Sequence, residues 1–564
     1  MVSRRALLVS ALSGCVAVTA CGGGSEPAPA PAPAPPVPAP PIPAPPPIAL
    51  PPLITDTEVR VSGDTPFAPG CSGSANGTEY RNAEVEPQVA VNPLNPGNLI
   101  VSWQQDRWSS GGASGVVSAV TFDGGVTWTR TAFAVSRCGG GTAANGGDYS
   151  RATDPWVTFS PNGTAFQMAL AFDVGSLQPG SSSAMLVARS GDGGRTWSGA
   201  TPLIVSGSDF FNDKNAITAD PTDARYVFAV WDRLARTGGG PSLLARTTDG
   251  GASWKAAIVI YDPGPQSQTI GNQVVVLPNG HLINVLTQID PGPNSTSSAS
   301  IRVIRSTDKG ATWSGPIKVA DLLAVGARDT VTGQTIRDGS ILPAIAVAPN
   351  GDLLVVWQDA RFSGGAVDGI ALSRSTDGGV TWSAPSQVNR APTVPAFTPS
   401  IRVGNDGTIG ITYFDLRSNT ADPTSLPTEL ILTRSVDGVN WREVRLTPSF
   451  DLDTAPVAAG GYLIGDYQGL AVTDAFIPVY VRTTGSTTNR TDVYAVAVRA
   501  PVPLALAPRA LPQAVAAPAP PDAATTERVS ENITRYMERR MPGWARWRAG
   551  TGWHNAVTHG STPT

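Results

Sequence analysis

The stretch Thr121-Phe122-Asp123-Gly124-Gly125-Val126-Thr127-Trp128 decides the fold, because its pattern, Ser/Thr-x-Asp-x-Gly-x-Thr/Ser-Trp, returns along the chain. It recurs at Ser190 to Trp197, Thr247 to Trp254, Ser306 to Trp313 and Ser375 to Trp382, and one residue short at Ser435-Val436-Asp437-Gly438-Val439-Asn440-Trp441. The central aspartates, at 123, 192, 249, 308, 377 and 437, are spaced by 69, 57, 59, 69 and 60 residues, a period that marks a repeat architecture. The physics of the motif is local. The carboxylate accepts backbone N–H bonds in its own turn, glycine supplies positive φ, and the indole packs between neighbouring sheets. These Asp and Trp residues are therefore read as structural parts of a hairpin.

Around each motif lie strand-like runs, two before and one after, as in Glu86 to Val91, Leu99 to Trp103, Val116 to Phe122 and Trp128 to Val135. Four short antiparallel strands per repeat make an all-β chain, a β-propeller of four-stranded blades. Six units run from about 86 to 447. The three strands that follow, Gly469 to Thr473, Phe476 to Arg482 and Val493 to Arg499, need a fourth. The N-terminal run Thr57-Glu58-Val59-Arg60-Val61 is the candidate, giving seven blades and no open sheet edge. Six blades with a flanking hairpin is the alternative.

Composition narrows the chemistry. With 40 Lys+Arg against 44 Asp+Glu, the formal charge is -4, so no basic field exists to hold nucleic acid or an anionic membrane surface. The chain has three histidines, His281, His554 and His559, two of them in the tail, which argues against His-based triads and His-ligated zinc in the main domain. Gly 60, Pro 52 and only 15% charged residues suit short strands joined by tight turns.

The ends of the chain read as targeting and spacing. Residues 1–20 resemble a signal peptide, with Arg4-Arg5 before the apolar run Ala6 to Leu12. Val18-Thr19-Ala20-Cys21 is similar to a bacterial lipobox, so Cys21 is the expected lipidation site, with Cys15 as the alternative. The protein is thus expected to be exported and anchored to the bacterial cell envelope by lipid, its only membrane contact. Residues 21–54 are a Pro/Ala-rich tether of polyproline character. The propeller is assigned to 55–500, a second Pro/Ala-rich linker to 501–522, and a short helix and tail to 523–564. In that helix Val529, Ile533, Tyr536 and Met537 share a face and Pro542 stops it; the segment is read as a loosely ordered tail, with docking of that face on a partner or on the propeller as the alternative. Cys71 and Cys138 fall in loops on one face by strand parity, and an exported protein permits a disulfide between them.

The face opposite the recurring turns is the expected ligand face. Asp-Arg pairs recur there at second-strand ends, among them Asp106-Arg107, Asp232-Arg233, Asp359-Ala360-Arg361 and Asp415-Leu416-Arg417. Their recurrence suits loops braced by ion pairs. Residues that break the repeat make better site candidates: Glu86, Asp154, Asp213-Lys214-Asn215 and Gly465-Asp466-Tyr467. A glycosidase needs one carboxylic acid to protonate the leaving oxygen and a second group as base or nucleophile, which Glu86, Asp154 and Asp466 supply. Arg107, Lys214, Arg233, Arg361 and Arg417 are the substrate-binding candidates, arginine being suited to clamp a sugar carboxylate.

The repeated motifs resemble the Asp-box blades of bacterial sialidases and of the wider sialidase-like, BNR-repeat glycoside hydrolases, over about 86 to 447. That resemblance implies a glycan or glycoconjugate substrate, a monomer and no cofactor. The family's sialidases are six-bladed and use an arginine triad, an Asp acid/base and a Tyr/Glu nucleophile pair. Here the first inner strand reads Glu86-Pro87-Gln88-Val89, where the family has Arg-Ile-Pro, so the first triad arginine is absent. Trp103-Gln104-Gln105-Asp106-Arg107 resembles the strand end before the acid/base, yet the following loop, Trp108 to Gly115, holds no acid. Tyr467 parallels the nucleophile, and Arg361 or Arg417 a triad arginine. Two other readings stand beside a hydrolase of unassigned substrate: a surface propeller that binds glycan or protein without turnover, and a carboxylate-rich mouth that holds Ca²⁺ through oxygen ligands.

Overall fold

Every inner strand of the molecule packs against two others. In a computed structural model, which describes residues 52–73, 76–458, 460–499 and 520–545, the strands Val85–Asn92, Arg151–Phe159, Phe210–Ala219, Gln268–Val276, Ala344–Val347, Ala396–Val403 and Gly469–Val472 each pack on the next, and the last returns to the first. Antiparallel ladders run outward from this closed ring, many of them four-stranded, as in Phe210–Ala219, Val227–Ala235, Ser242–Thr247 and Ile258–Tyr261. The described chain is nearly all β, an architecture consistent with a β-propeller. All of it belongs to the unit Ala49–Thr564. The signal-like segment, Cys15, Cys21 and most of the tether lie outside the described residues. Among those residues no helix is long and apolar enough to cross a membrane.

The last sheet is completed by the start of the chain. Val59–Arg60 pairs with Thr491–Ala495 as its outer strand, and Ile54–Thr55 pairs with Val498–Arg499. This covers an edge that would otherwise expose unpaired N–H and C=O groups. The recurring turns close as their chemistry requires. Asp123 accepts hydrogen bonds from the Val126 and Thr127 N–H groups, each at 3.0 Å, and from the Thr121 and Thr127 hydroxyls at 2.6 Å. Gly124 and Gly125 take φ of 75° and 99°, a backbone conformation that residues with a side chain rarely adopt. These donors hold the Asp123 carboxyl well below the usual carboxylate range.

Cys71 and Cys138 are joined in a disulfide across a sequence separation of 67 residues. Closing a loop of that length removes about 4 kcal/mol of denatured-state entropy. The Cys71→Ser/Cys138→Ser double variant is expected to lose that much stability in denaturant unfolding; a loss below about 1 kcal/mol would show that the covalent link contributes little.

The tail departs from expectation. A helix spans Ala523–Arg540, begun by Asp522, whose carboxylate accepts the Thr525 N–H. It is not a loose tail: Val529, Ile533, Tyr536 and Met537 are buried in the largest hydrophobic cluster, together with Met541 and Trp544. The sequence face was legible, but its destination was not. That face is complementary to side chains brought together from several sheets, and only folding assembles them.

Candidate functional site

The inner strands share a defect that builds the site. Register shifts interrupt the pairing of five of them, between Val85 and Gln88, Thr153 and Trp156, Asp213 and Ala216, Ile270 and Gln273, and Phe397 and Ser400. Each shift puts one residue in the left-handed region: Glu86 at φ 56°, Asp154 at 52°, Lys214 at 44°, Gly271 at 71° and Thr398 at 53°. Such bulges re-aim side chains, and glycine is the residue that adopts this conformation without strain. Glu86, Asp154 and Lys214 instead hold it at a cost of about 1–3 kcal/mol each. The strain is concentrated in charged residues that meet on the axis of the ring.

Lys214 is the focus of that meeting. Its ammonium lies 2.9 Å from Asp466 Oδ2, 3.7 Å from Glu86 Oε1 and 3.7 Å from Asp154 Oδ1, all four side chains being less than a tenth exposed. Arg337 grips Asp466 through two bonds of 3.1 Å, Nε to Oδ1 and Nη2 to Oδ2. Asp154 accepts from the Thr153 hydroxyl at 2.9 Å and the Lys214 N–H at 3.2 Å. Glu86 accepts from Gln104 Nε2 and from the Asp466 N–H, while the Gln104 carbonyl takes a hydrogen bond from Arg107 Nη1. Behind the cluster, the Tyr467 ring lies 5.6 Å from Lys214 Nζ and 5.6 Å from the Trp156 ring.

Burial and charge drive the protonation states apart. Burial raises Glu86 from 4.5 to about 7, against the pull of Lys214, with Asp466 and Asp154 adding to the rise. Asp466 is equally buried, yet Arg337 and Lys214 hold it well below the usual carboxylate range. Three surrounding acids hold Lys214 well above its ordinary value despite its burial. Burial, with Arg337 alongside, lowers Arg107 to about 10. The Glu86 shift has a consequence for stability. The folded state retains the Glu86 proton between pH 4.5 and about 7, where the unfolded chain has released it, so this group's contribution falls as pH rises through that window. Glu86→Gln should therefore gain stability relative to the parent as pH rises from 4.5 to 7, with no further gain above that. Paired denaturant melts across pH would read this, and a pH-independent difference would contradict it.

Two cavities meet at the Lys214–Asp466 pair. One, of about 50 Å³, runs along the axis and is lined by Gln88, Trp156, Asn272, Tyr467 and Gln468, among others. The other, of about 130 Å³, is lined by Arg107, Asp154, Lys214, Arg337 and Asp466, and is walled by Tyr536, Arg539 and Arg540 of the C-terminal helix. Asp154 and Asp466 thus face the larger cavity, whereas Glu86 lines neither. No group of His, Cys, Asp or Glu among the described residues is arranged as metal ligands, and the point between the three acids is taken by the Lys214 ammonium.

The fold therefore gathers Glu86, Asp154, Lys214, Asp466, Tyr467 and Arg107 around one axis. It keeps three sequence candidates away. Arg233 stacks over the Phe210 ring at 4.3 Å. Arg361 is paired with Asp359 at 2.7 Å, and Arg417 with Asp415 at 2.5 Å and Glu443 at 3.1 Å. Arg361 and Arg417 each brace the aspartate two residues before them. Arg337 and the helix residues were missed as site residues, since nothing local distinguishes Arg337 and the helix begins about fifty residues beyond the last inner strand. The bulges did leave a signal: Glu86-Pro87, Asp154-Pro155, Lys214-Asn215, Gly271-Asn272 and Thr398-Pro399 align, with a charged residue in three of the five.

No family model matches the chain, and neither does any curated protein. Among solved structures it is similar to a protein of unknown function from Dyadobacter fermentans, at 15% identity over 79% of this chain and 99% of that one, with a TM-score of 0.44. It is also similar to an α-L-arabinanase of Penicillium chrysogenum, at 13% identity over 78% and 98% of the two chains, TM-score 0.41. A Hadza microbial sialidase matches at 16% identity over 70% and 76%, TM-score 0.41.

Proposed function

We propose that this chain is an exported, lipid-anchored, seven-bladed Asp-box propeller that hydrolyses glycosidic bonds in extracellular or cell-surface glycans. One observation carries the reading: Asp154 and Asp466 face the same cavity with a single ammonium between them, 3.7 Å and 2.9 Å away. Two carboxyl groups across one pocket are what glycoside cleavage requires. Asp466, clamped by Arg337 and Lys214, stays ionised and is suited to stabilise positive charge developing on the sugar ring. Asp154 then has the role of proton donor to the leaving oxygen. Arg107 has no carboxylate within salt-bridge distance among the described residues, and its buried Nε has no hydrogen-bond partner, which suits an anionic sugar bearing a carboxylate.

A screen of chromogenic glycosides, with uronides and sialosides beside neutral sugars, tests the proposal. Hydrolysis of an acidic glycoside that is lost in Asp154→Asn supports it. Glycan binding without turnover by the parent protein would instead favour a surface propeller that captures its ligand.

A further inference from the structure

We infer that the C-terminal helix is a tethered plug, and that the resting chain holds its candidate site closed. This rests on the proposed hydrolytic site and concerns access to it. The helix is fixed to the ligand face at four points along its length. The Thr525 hydroxyl donates to Gly364 O at 3.4 Å, and Ser530 Oγ accepts from the Ser297 N–H at 2.8 Å. Asn532 Nδ2 donates to Ala324 O and to Ser340 Oγ, each at 3.1 Å. Arg540 closes the helix with a bond of 2.6 Å from Nε to Asp213 and a contact with Asp232 through Nη2. Asp213 precedes Lys214, so this final anchor sits beside the acid cluster.

The helix lies over the site as well as near it. Tyr536, Arg539 and Arg540 wall the cavity that Asp154, Lys214 and Asp466 face. With that wall in place the cavity is about 130 Å³, well under the roughly 300–1,000 Å³ of ordinary ligand pockets. The seated helix therefore narrows the way to Asp154. The Tyr536 hydroxyl and Arg540 Nη1 are buried there with no hydrogen-bond partner. Residues 520–522 emerge exposed at the helix start. Burial of Val529, Ile533, Tyr536, Met537, Met541 and Trp544 makes the closed form dominant in the isolated chain.

The test uses the full chain in two forms that loosen the helix: Asn532→Ala/Ile533→Ala, which removes anchors outside the cavity, and Arg540→Glu, which sets a third acid against Asp213 and Asp232. Hydrogen exchange over 523–541 reports release, hydroxyl-radical footprinting of Phe172 and Phe211, two buried residues that line the cavity, reports whether it opens, and the glycoside screen reports turnover. The expected result is faster exchange in the helix with the sheets still protected, several-fold more oxidation of Phe172 and Phe211, and at least tenfold faster hydrolysis by the Asn532→Ala/Ile533→Ala form. The plug is overturned if the helix exchanges no faster than the sheets in both forms, if release leaves Phe172 and Phe211 protected, or if the opened chain hydrolyses a glycoside more slowly than the parent. Opening without hydrolysis by any form keeps the plug and removes the hydrolytic reading.

Discussion

Lys214→Met is expected to destabilise the fold by about 3–5 kcal/mol at neutral pH, the range for removing one partner from a buried ionic cluster. The ammonium is the common counter-ion of Glu86, Asp154 and Asp466, within 4 Å of each, and among the described residues no other cation except Arg337 bonds any of the three. Methionine keeps the length of the side chain and leaves three buried acids facing one another. Arg337 still holds Asp466, so the repulsion falls chiefly on Glu86 and Asp154. The loss should shrink as pH is lowered from 7.5 toward 5, because protonating Glu86, raised to about 7, removes part of the charge that Lys214 balances. Denaturant unfolding at pH 5 and pH 7.5 measures both; a loss under about 1 kcal/mol at pH 7.5 would mean that the three acids do not depend on this cation.

Asp154→Asn should lower hydrolysis of any glycoside the protein cleaves by about 10²–10⁴-fold, the usual contribution of a general acid. Asparagine keeps one oxygen to accept the Lys214 N–H and presents an amide N–H that can donate to the Thr153 hydroxyl, but has no proton of the right acidity to give. A substrate whose leaving group needs no protonation should be much less affected, so activated aryl glycosides ought to show a smaller drop than natural linkages. Equal losses on both substrates would point to a role in binding, and unchanged turnover would remove Asp154 from the chemistry. Thermal unfolding near the parent value would establish that the effect is local.

Much of the molecule was legible because its signals are local. A turn motif carries its own hydrogen bonds: the Asp123 carboxylate accepts from Thr121, Val126 and Thr127, all within seven residues, so repetition revealed the sheets and their order. The closing N-terminal strand followed from counting strands against sheet edges. The face of the terminal helix followed from its periodicity. Glu86, Asp154, Lys214 and Asp466 stood out because they interrupt a repeat, and the structure does bring them together.

The sequence by itself determined the strands, their hairpins and the residues that break the pattern, since each depends on neighbours a few positions away. Only the tertiary structure decided which charges share a counter-ion, that Arg337 clamps Asp466 across 129 positions, and that Arg540 reaches Asp213 across 327. The physical reason is the same in each case. Where an ion pair forms inside a protein depends on burial and on distances set by ring closure, and neither quantity is carried by any short stretch of chain.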